Sequence, residues 1–238
     1  MIIHPTFSIF TLKFQTWGTF FALAALVGFF LLTYLGKKKK LNSEILANIF
    51  FLGFFAGIIG ARAFYFLIHP QIFSFIEFLY FWQGGYVLFG GAIFAILAVI
   101  SYLIYKKESV LSYLNLLIIP TLSALILIRT GSFLILDNIG KITTLPWAIH
   151  FLDQLRHPID AYYLVLDLIL LGFSIFLFNK KNPRLFFIIL LGLAVGRLII
   201  HFLATFINAW DANLDLIFWS VGLIVSVVGL GYLSKPKK

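Results

Sequence analysis

The sequence predicts an all-α membrane protein, a polytopic bundle of about seven transmembrane helices, from three observations. First, the 238 residues are 62% hydrophobic and 11% charged, whereas a soluble domain carries roughly a quarter charged residues. Second, the apolar residues form long runs, and about 17 to 25 such residues cross a bilayer as a helix. Third, the runs lack the alternating pattern of transmembrane β-strands. No polar linker interrupts the chain, so we expect one integral membrane domain over residues 1–238.

Seven apolar runs define the expected helices. They occupy approximately residues 17–35, 45–68, 86–105, 109–128, 161–178, 185–207 and 214–233. A basic cluster follows the first run instead of preceding it, and no small-residue cleavage site is evident, so we expect this helix to remain in the mature protein. The second run carries Gly53, Gly57 and Gly60, a spacing that allows close helix packing, with direct contact to a ligand as the alternative.

Basic residues after the odd-numbered runs predict the orientation of the protein. The formal net charge is +9, from 18 Lys and Arg against 9 Asp and Glu. By the positive-inside rule, these clusters place the N-terminus outside and the C-terminus in the cytoplasm. Because the clusters follow membrane runs, we expect them to set topology, and we expect no nucleic acid as a partner. They are Lys37 to Lys40, Lys106 and Lys107, Lys180, Lys181 and Arg184, and Lys235, Lys237 and Lys238.

Topology does not explain six of the basic residues, which are Lys13, Arg62, Arg129, Lys141, Arg156 and Arg197, and three of these arginines suggest a binding site. Arg62 and Arg197 lie within apolar runs, where an arginine is costly and usually faces the bundle interior or a wet cavity. Arg129 follows the fourth run and begins the longest segment outside the runs, about 129–160. Guanidinium groups match phosphate oxygens in a bidentate way, so three arginines facing one cavity would bind an anionic lipid head group. Alternatively each arginine snorkels or pairs with an acid, the candidates being Asp137, Asp167 and Asp211.

Six segments, in order along the chain, resemble one known family. They are LKFQTWGTFFALAALVG, GIIGARAFYFLIHP, FWQGGYVLFGGAI, IRTGSFLILDNIGKITTLPWAI, RHPIDAYY and GRLIIHF. Through them the sequence resembles the prolipoprotein diacylglyceryl transferase family over essentially its whole length. The resemblance implies a multi-pass enzyme of the bacterial cytoplasmic (inner) membrane, without a metal or a soluble cofactor. It would move diacylglycerol from phosphatidylglycerol, a membrane lipid, to the lipobox cysteine in the signal peptide of an exported preprolipoprotein. The chain has no cysteine, so the thiol must come from the substrate.

The resemblance also implies which residues function. Arg129 and Arg197 match the family's functional arginines and, together with His201, are the expected catalytic residues. We expect Arg129 to hold phosphate and Asp137 to orient Arg129 or an incoming group. For His157 the alternative is a structural role, holding its loop against the fifth helix. The expected substrate-binding residues are Arg62, Gly131, Ser132, Asp137, Gly140, Arg156, His157 and Tyr162.

The sequence departs from the family's pattern at several polar positions. Phe89 stands where the family has a histidine between paired glycines, its proposed base or proton carrier. His201 replaces a glutamate and lies four residues after Arg197, on the same helix face. A nearby cation favours a neutral imidazole that accepts a proton, so His201 is the candidate base, with a purely structural histidine as the alternative. The other replacements are Trp17 and Leu193 for tyrosines and Ser132 and Ile135 for asparagines.

Two further functions are compatible with these residues. One is a non-catalytic relative that binds anionic lipid or lipoprotein signal segments, which the loss of the glycine-flanked histidine favours. The other is a small anion transporter, suggested by the intramembrane arginines, although no inverted repeat supports it.

Overall fold

A computed structural model describes residues 5–10, 12–72, 74–80, 84–206 and 209–234. The helices in these residues are α1 (Thr16–Lys38), α2 (Ser43–Ile68), α3 (Phe75–Leu79), α4 (Leu88–Tyr105), α5 (Val110–Ile135), α6 (Ile159–Asn179), α7 (Leu185–His201) and α8 (Ala209–Ser234). A short 3-10 helix, Pro70–Ile72, precedes α3. Residues 81–83 of the FWQGGYVLFGGAI segment and the C-terminal lysines Lys235, Lys237 and Lys238 lie outside the described residues.

The helices confirm the predicted all-α polytopic membrane protein. Six helices in the described part of the chain are long and apolar enough to cross a membrane, and α7 is a shorter apolar helix. Large apolar side chains remain exposed along their lengths, as in Ile169, Ile224 and Val228, which suits lipid as the surrounding solvent. The orientation of the termini is not tested by the helices and stays a prediction.

Two helix ends differ from the expected runs. α5 continues to Ile135 because nothing after the run's expected end at residue 128 breaks the helix, so Arg129 is a helical residue. α7 stops at His201 instead of continuing to 207, because the following residues pair with a strand: the Lys141 backbone N–H donates to the Leu203 carbonyl at 2.9 Å. The first difference places Arg129 inside α5, and the second makes His201 the last residue of α7.

Short strands join some of the helices. β1 (Thr6–Ile9) and β2 (Leu12–Gln15) form an antiparallel hairpin before α1. Between α5 and α6, β3 (Ile139–Ile142), β4 (Ile149–Phe151) and β5 (Gln154–Pro158) form an antiparallel sheet in the order β3-β5-β4. β5 leads directly into α6, and this fixes where the first turn of α6 begins.

The chain folds into two compact units, residues 32–113 and residues 1–31 with 114–238. The expectation of a single domain stays a prediction. In the first unit α2 packs closely on α4: a Cβ on Gly60 would lie 2.7 Å from the Gly90 carbonyl oxygen, and one on Gly90 would lie 2.6 Å from the Gly60 carbonyl oxygen. Side chains at these positions would push the helices apart. The packing interpretation of the α2 glycines is therefore confirmed.

In the second unit α7 packs against both α6 and α8. Its buried side chains include Ile189, Leu193 and Ala194, which form an apolar middle section. Arg197 and Ile200 are also buried, near the C-terminal end of α7. Arg197 thus brings a buried charge to the end of α7 that leads into α8.

Candidate functional site

One face of α6 carries the polar groups on which the candidate site is built. Asp160, Tyr163 and Asp167 are spaced three and four residues apart, so they lie on the same side of the helix. All three are buried. A buried carboxylate must be paired or hydrogen-bonded to be tolerated, and each of these two acids meets an arginine from another helix.

Arg197 is paired with Asp167 in the interior. Its Nη2 donates to both carboxylate oxygens of Asp167, at 2.9 Å and 2.8 Å. Arg197 is 2% exposed and Asp167 is fully buried, which confirms the alternative that Arg197 pairs with an acid. That contact uses one nitrogen only. The Nε and Nη1 of Arg197 are also buried and have no hydrogen-bond partner in the described ranges of the chain.

Arg129 meets a different acid from the one expected. Its Nη1 lies 3.4 Å from Oδ1 of Asp160, whereas Asp137 was expected to orient Arg129 or an incoming group. Asp160 is further held by Asn138, whose backbone N–H donates to Oδ2 at 3.1 Å and whose Nδ2 donates to Oδ1 at 2.9 Å. The Nε of Arg129 is buried without a partner among the residues that the structure describes.

The two arginines share one aromatic ring. The guanidinium carbon of Arg129 lies 4.4 Å from the centroid of the Tyr163 ring, and that of Arg197 lies 4.0 Å from it. Both cations are therefore held against one ring, with three buried nitrogens left without acceptors in the described part of the protein. A buried donor without a partner costs roughly 1–3 kcal/mol. Phosphate oxygens would satisfy such donors, and guanidinium groups bind phosphate well.

His201, at the C-terminal end of α7, is held by an acid that the sequence analysis did not single out. Its Nδ1 lies 2.6 Å from Oδ2 of Asp215 in α8. The other oxygen of Asp215 accepts a hydrogen bond from Nε1 of Trp219 at 3.0 Å. The imidazole also lies against the ring of Phe206, 4.8 Å between centroids. His201 is thus fixed one helical turn beyond Arg197, and Asp215, at the start of the last apolar run, was the available signal.

Asp137 and Arg156 line a separate cavity of about 270 Å³, together with Ile139, Phe151, Thr205 and Phe206. Arg156 donates to the Gly140 carbonyl at 3.3 Å and to the Gln154 side chain at 2.7 Å. Partial desolvation by the surrounding protein raises the pKa of the Asp137 carboxyl above its ordinary value, and the charge of Arg129 opposes that rise. The cavity therefore combines an acid with a cation.

His157 and Tyr162 form a hydrogen-bonded chain with an exposed tryptophan. Nε1 of Trp147 donates to the Tyr162 hydroxyl at 2.9 Å, and that hydroxyl lies 2.9 Å from Nδ1 of His157. These contacts tie β5 and the loop between β3 and β4 to the first turn of α6, as the structural alternative for His157 predicts. The predicted contact of either residue with substrate is not tested and stays a prediction.

The remaining polar and glycine positions have packing roles. A Cβ on Gly131 would lie 2.7 Å from Cβ of Phe20, and one on Gly140 would lie 2.8 Å from the His157 carbonyl oxygen. Ser132 is 2% exposed, and its carbonyl accepts from the backbone N–H of Asp137 at 3.1 Å. Close packing explains both glycines, and the substrate-binding role predicted for these residues is untested.

Arg62 belongs to the other compact unit, where backbone carbonyls surround it. Its guanidinium donates to the carbonyl oxygens of Glu77, Phe78, Tyr80, Gly84 and Gly85. It also lies 4.8 Å from the centroid of the Phe66 ring. These contacts hold the segment between α2 and α4 in place. The predicted role of Arg62 in substrate binding stays a prediction.

The described residues contain no candidate metal site. No three His, Asp or Glu side chains come together there as metal ligands. The chemistry available at α5 to α8 is that of guanidinium donors, one imidazole and buried carboxylates.

Comparisons with known proteins point to one family. Residues 5–232 match the family model described as prolipoprotein diacylglyceryl transferase. A Clostridium tetani protein named phosphatidylglycerol–prolipoprotein diacylglyceryl transferase is 29% identical over 83% of this chain and 83% of its own length. A Campylobacter hominis protein of the same name is 29% identical over 91% of this chain and 82% of its own. A Prochlorococcus marinus protein of that name is 27% identical, and here the alignment spans 66% of the relative's length.

Proposed function

The chain belongs to the prolipoprotein diacylglyceryl transferase family, and we propose that it transfers diacylglycerol from phosphatidylglycerol to the lipobox cysteine of exported preprolipoproteins. The reaction joins the cysteine sulfur to a carbon of the lipid glycerol and breaks the bond from that carbon to a phosphate oxygen. Glycerol phosphate leaves with the electron pair of the broken bond. As a multi-pass membrane protein, the enzyme would act at the outer face of a bacterial cytoplasmic membrane.

The observation that carries this proposal is the pair of arginines on Tyr163. Arg129 and Arg197 have three buried nitrogens without acceptors in the described part of the chain, and the phosphate of phosphatidylglycerol offers acceptor oxygens. Negative charge grows on that phosphate as the C–O bond breaks, so fixed cations in a site shielded from water stabilise the transition state. We assign the phosphate to Arg129 and Arg197 and the thiol proton to His201.

We propose less direct contacts for the other predicted residues. Asp137 and Arg156 line a cavity in the same compact unit, which supports a contact with the polar part of a substrate. His157 and Tyr162 would position the start of α6, and with it Asp160. Gly131, Ser132 and Gly140 would act through packing, and Arg62 by holding its backbone segment.

A mass-shift assay tests the transfer. The purified protein in phosphatidylglycerol nanodiscs, given a lipobox peptide, should add the mass of one diacylglyceryl group to that peptide. A peptide with serine in place of the cysteine is the control and should stay unmodified. No mass shift with the cysteine peptide at any pH from 6 to 9 would contradict the transferase proposal.

Lipid affinity tests the phosphate assignment separately. Arg129→Gln and Arg197→Gln should each weaken phosphatidylglycerol binding by about 1.5–3 kcal/mol, the usual contribution of a hydrogen bond to a charged group. Arg184→Gln is the matched control, because Arg184 lies at the opposite end of α7 and donates to the Leu233 carbonyl. Unchanged affinity in both test variants, with folding intact, would contradict the assignment.

A second function is favoured by Phe89. This residue occupies the position of the family's glycine-flanked histidine and carries no proton-accepting group, so a relative that binds anionic lipid without transferring it is the competing proposal. Such a protein would bind phosphatidylglycerol through Arg129 and Arg197 and would leave the lipobox peptide unmodified.

A further inference from the structure

We propose that Asp215 is a positioning residue that fixes the tautomer and orientation of His201, so that Nε2 of His201 is the atom that takes the proton from the substrate thiol. This inference rests on the proposed transferase function. It names a residue of α8 that the family resemblance does not supply, and it explains how a histidine at this position is made ready for proton transfer.

The contact joins the end of one helix to the beginning of the next. His201 is the last residue of α7, and Asp215 lies in the second turn of α8. Their side chains are 11% and 9% exposed, so little water competes for the contact. The distance of 2.6 Å between Nδ1 and Oδ2 is at the short end for a hydrogen bond to a charged group.

Trp219 fixes the carboxylate on its other side. Its Nε1–H donates to Oδ1 of Asp215 at 3.0 Å, one helical turn further along α8. Each oxygen of Asp215 therefore has its own partner, Trp219 for Oδ1 and His201 for Oδ2. Rotation of the carboxylate would break both hydrogen bonds, so the acceptor facing His201 stays in place.

This arrangement determines where the imidazole carries its proton. An ionised carboxylate only accepts hydrogen bonds, so Nδ1 of His201 must be the protonated nitrogen. In a neutral ring, Nε2 then has a free lone pair and can act as a base. An orienting carboxylate on Nδ1 with Nε2 facing the reacting group is the relationship that also operates in serine hydrolases. Among the described residues, Tyr163 on α6 interacts electrostatically with Asp215. The guanidinium carbon of Arg197 on α7 lies 4.0 Å from the centroid of the Tyr163 ring and 5.6 Å from that of the Trp219 ring.

The proton transfers balance in the proposed reaction. Nε2 of His201 takes the thiol proton, and the resulting thiolate attacks the glycerol carbon of phosphatidylglycerol. The new S–C bond forms as the C–O bond to phosphate breaks, and the phosphate oxygen keeps the electron pair. The imidazolium then returns its proton to the departing glycerol phosphate. Asp215 stays ionised throughout and stabilises the imidazolium.

Substitutions at Asp215 and Trp219 separate positioning from simple helix packing. In Asp215→Asn, one amide oxygen must serve two donors. If it accepts from Trp219, the amide N–H₂ faces Nδ1 of His201 and moves the ring proton to Nε2, which blocks the base. Removing the competing indole N–H in Asp215→Asn/Trp219→Phe frees the amide oxygen to accept from His201. The double variant should therefore recover part of the activity that the single variant loses.

The kinetic test uses the mass-shift assay with full-length protein. Asp215→Asn should lower the transfer rate by between about 10-fold and 10⁴-fold, the range seen for orienting partners of functional histidines. Trp219→Phe alone should lower it less than Asp215→Asn does, because Oδ2 of Asp215 can still accept from His201. In a His201→Gln background, Asp215→Asn should have no further effect, and the pH profile should lose the same step in both single variants. An equal, additive loss in the His201→Gln background overturns the proposal, because Asp215 would then act only through structure.

An NMR measurement of the tautomer is independent of activity. In ¹⁵N-histidine-labelled parent protein, His201, assigned from the signals missing in His201→Gln, should be in the Nδ1–H form. In Asp215→Asn it should change to the Nε2–H form, and in Asp215→Asn/Trp219→Phe it should return. An Nε2–H form in the parent overturns the proposal. If the parent protein shows no transfer in the mass-shift assay, the proposed function and the role of His201 in it are wrong. The NMR measurement of the tautomer then still tests whether Asp215 fixes the imidazole ring.

Discussion

Replacing Arg197 and Asp167 separately and together distinguishes what this pair contributes to stability from what it contributes to lipid binding. The two side chains are 2% and 0% exposed, and their closest N···O distance is 2.8 Å. The informative set is Arg197→Met, Asp167→Leu and the double variant, because methionine and leucine fill similar volumes without charge.

The burial of the pair sets the expected changes in the free energy of unfolding. Removing one partner of a buried ion pair destabilises a protein by about 3–5 kcal/mol, whereas replacing both by apolar side chains of similar volume is often neutral or stabilising. Asp167→Leu should be the less stable single variant, because it leaves Arg197 beside Arg129 on the Tyr163 ring. The double variant loses the ring contacts of Arg197, worth roughly 0.5–2 kcal/mol, and should otherwise match the parent.

Reversible unfolding in mixed detergent micelles measures the free energies, and titration of nanodiscs with increasing phosphatidylglycerol measures binding. The double variant should be nearly as stable as the parent and should bind phosphatidylglycerol much more weakly. A double variant as unstable as Asp167→Leu would show that the unpaired charge is not the cause of the loss. A double variant with the parent's lipid affinity would show that Arg197 does not hold the phosphate.

Three further predictions concern the orientation in the membrane, the packing of α2 on α4 and Phe89, which replaces the family's glycine-flanked histidine. Reporter fusions after Lys40, Lys107 and Lys181 test the helix ends that are expected to face the cytoplasm, and all three should give a cytoplasmic signal. A periplasmic signal from any of them would contradict the predicted orientation. Gly60→Val should destabilise the protein by about 1–3 kcal/mol, as overpacking does. Gly231→Ala should not, because a Cβ added at Gly231 has no neighbouring atom within 4 Å. Equal free energies of unfolding for the two variants would contradict the close packing of α2 on α4. Phe89→His should raise the transfer rate if this position serves the reaction, and an unchanged rate in the mass-shift assay would leave His201 as the base.

The membrane helices were predictable because apolar runs of spanning length have few other uses. The ends of these helices were less predictable, because hydropathy does not show where a segment pairs with a strand instead of continuing a helix. Arg129 was expected just after its helix, yet α5 continues for six more residues, to Ile135. α7 ends early because Leu203 and Ala204 pair with β3, a long-range contact that no local pattern reveals.

In the candidate site too, the individual charged residues could be predicted from the sequence, but the contacts between residues distant in the sequence could not. The cost of an intramembrane charge pointed to Arg62 and Arg197, and Arg129 was added from its position at the end of the fourth run. Pairing of Arg197 with Asp167 was one of the predicted alternatives. The contact of both arginines with the Tyr163 ring and the contact of His201 with Asp215 were not predicted. Asp215 is fourteen residues from His201 in sequence, and only the packing of α7 against α8 brings them together.

The length of α7 has a consequence for the surrounding bilayer. A helix of 17 residues is about 26 Å long at about 1.5 Å per residue, whereas the hydrocarbon core is about 30 Å thick. A helix this short is at the lower limit for crossing a bilayer, and local thinning of the membrane is one way in which such a mismatch is accommodated. The end that is shorter than expected carries His201, so we expect head groups and water to lie closer to the imidazole. Under the proposed function, a phospholipid entering there would move less far before its phosphate reached Arg197, and the released glycerol phosphate would have a short path back to water.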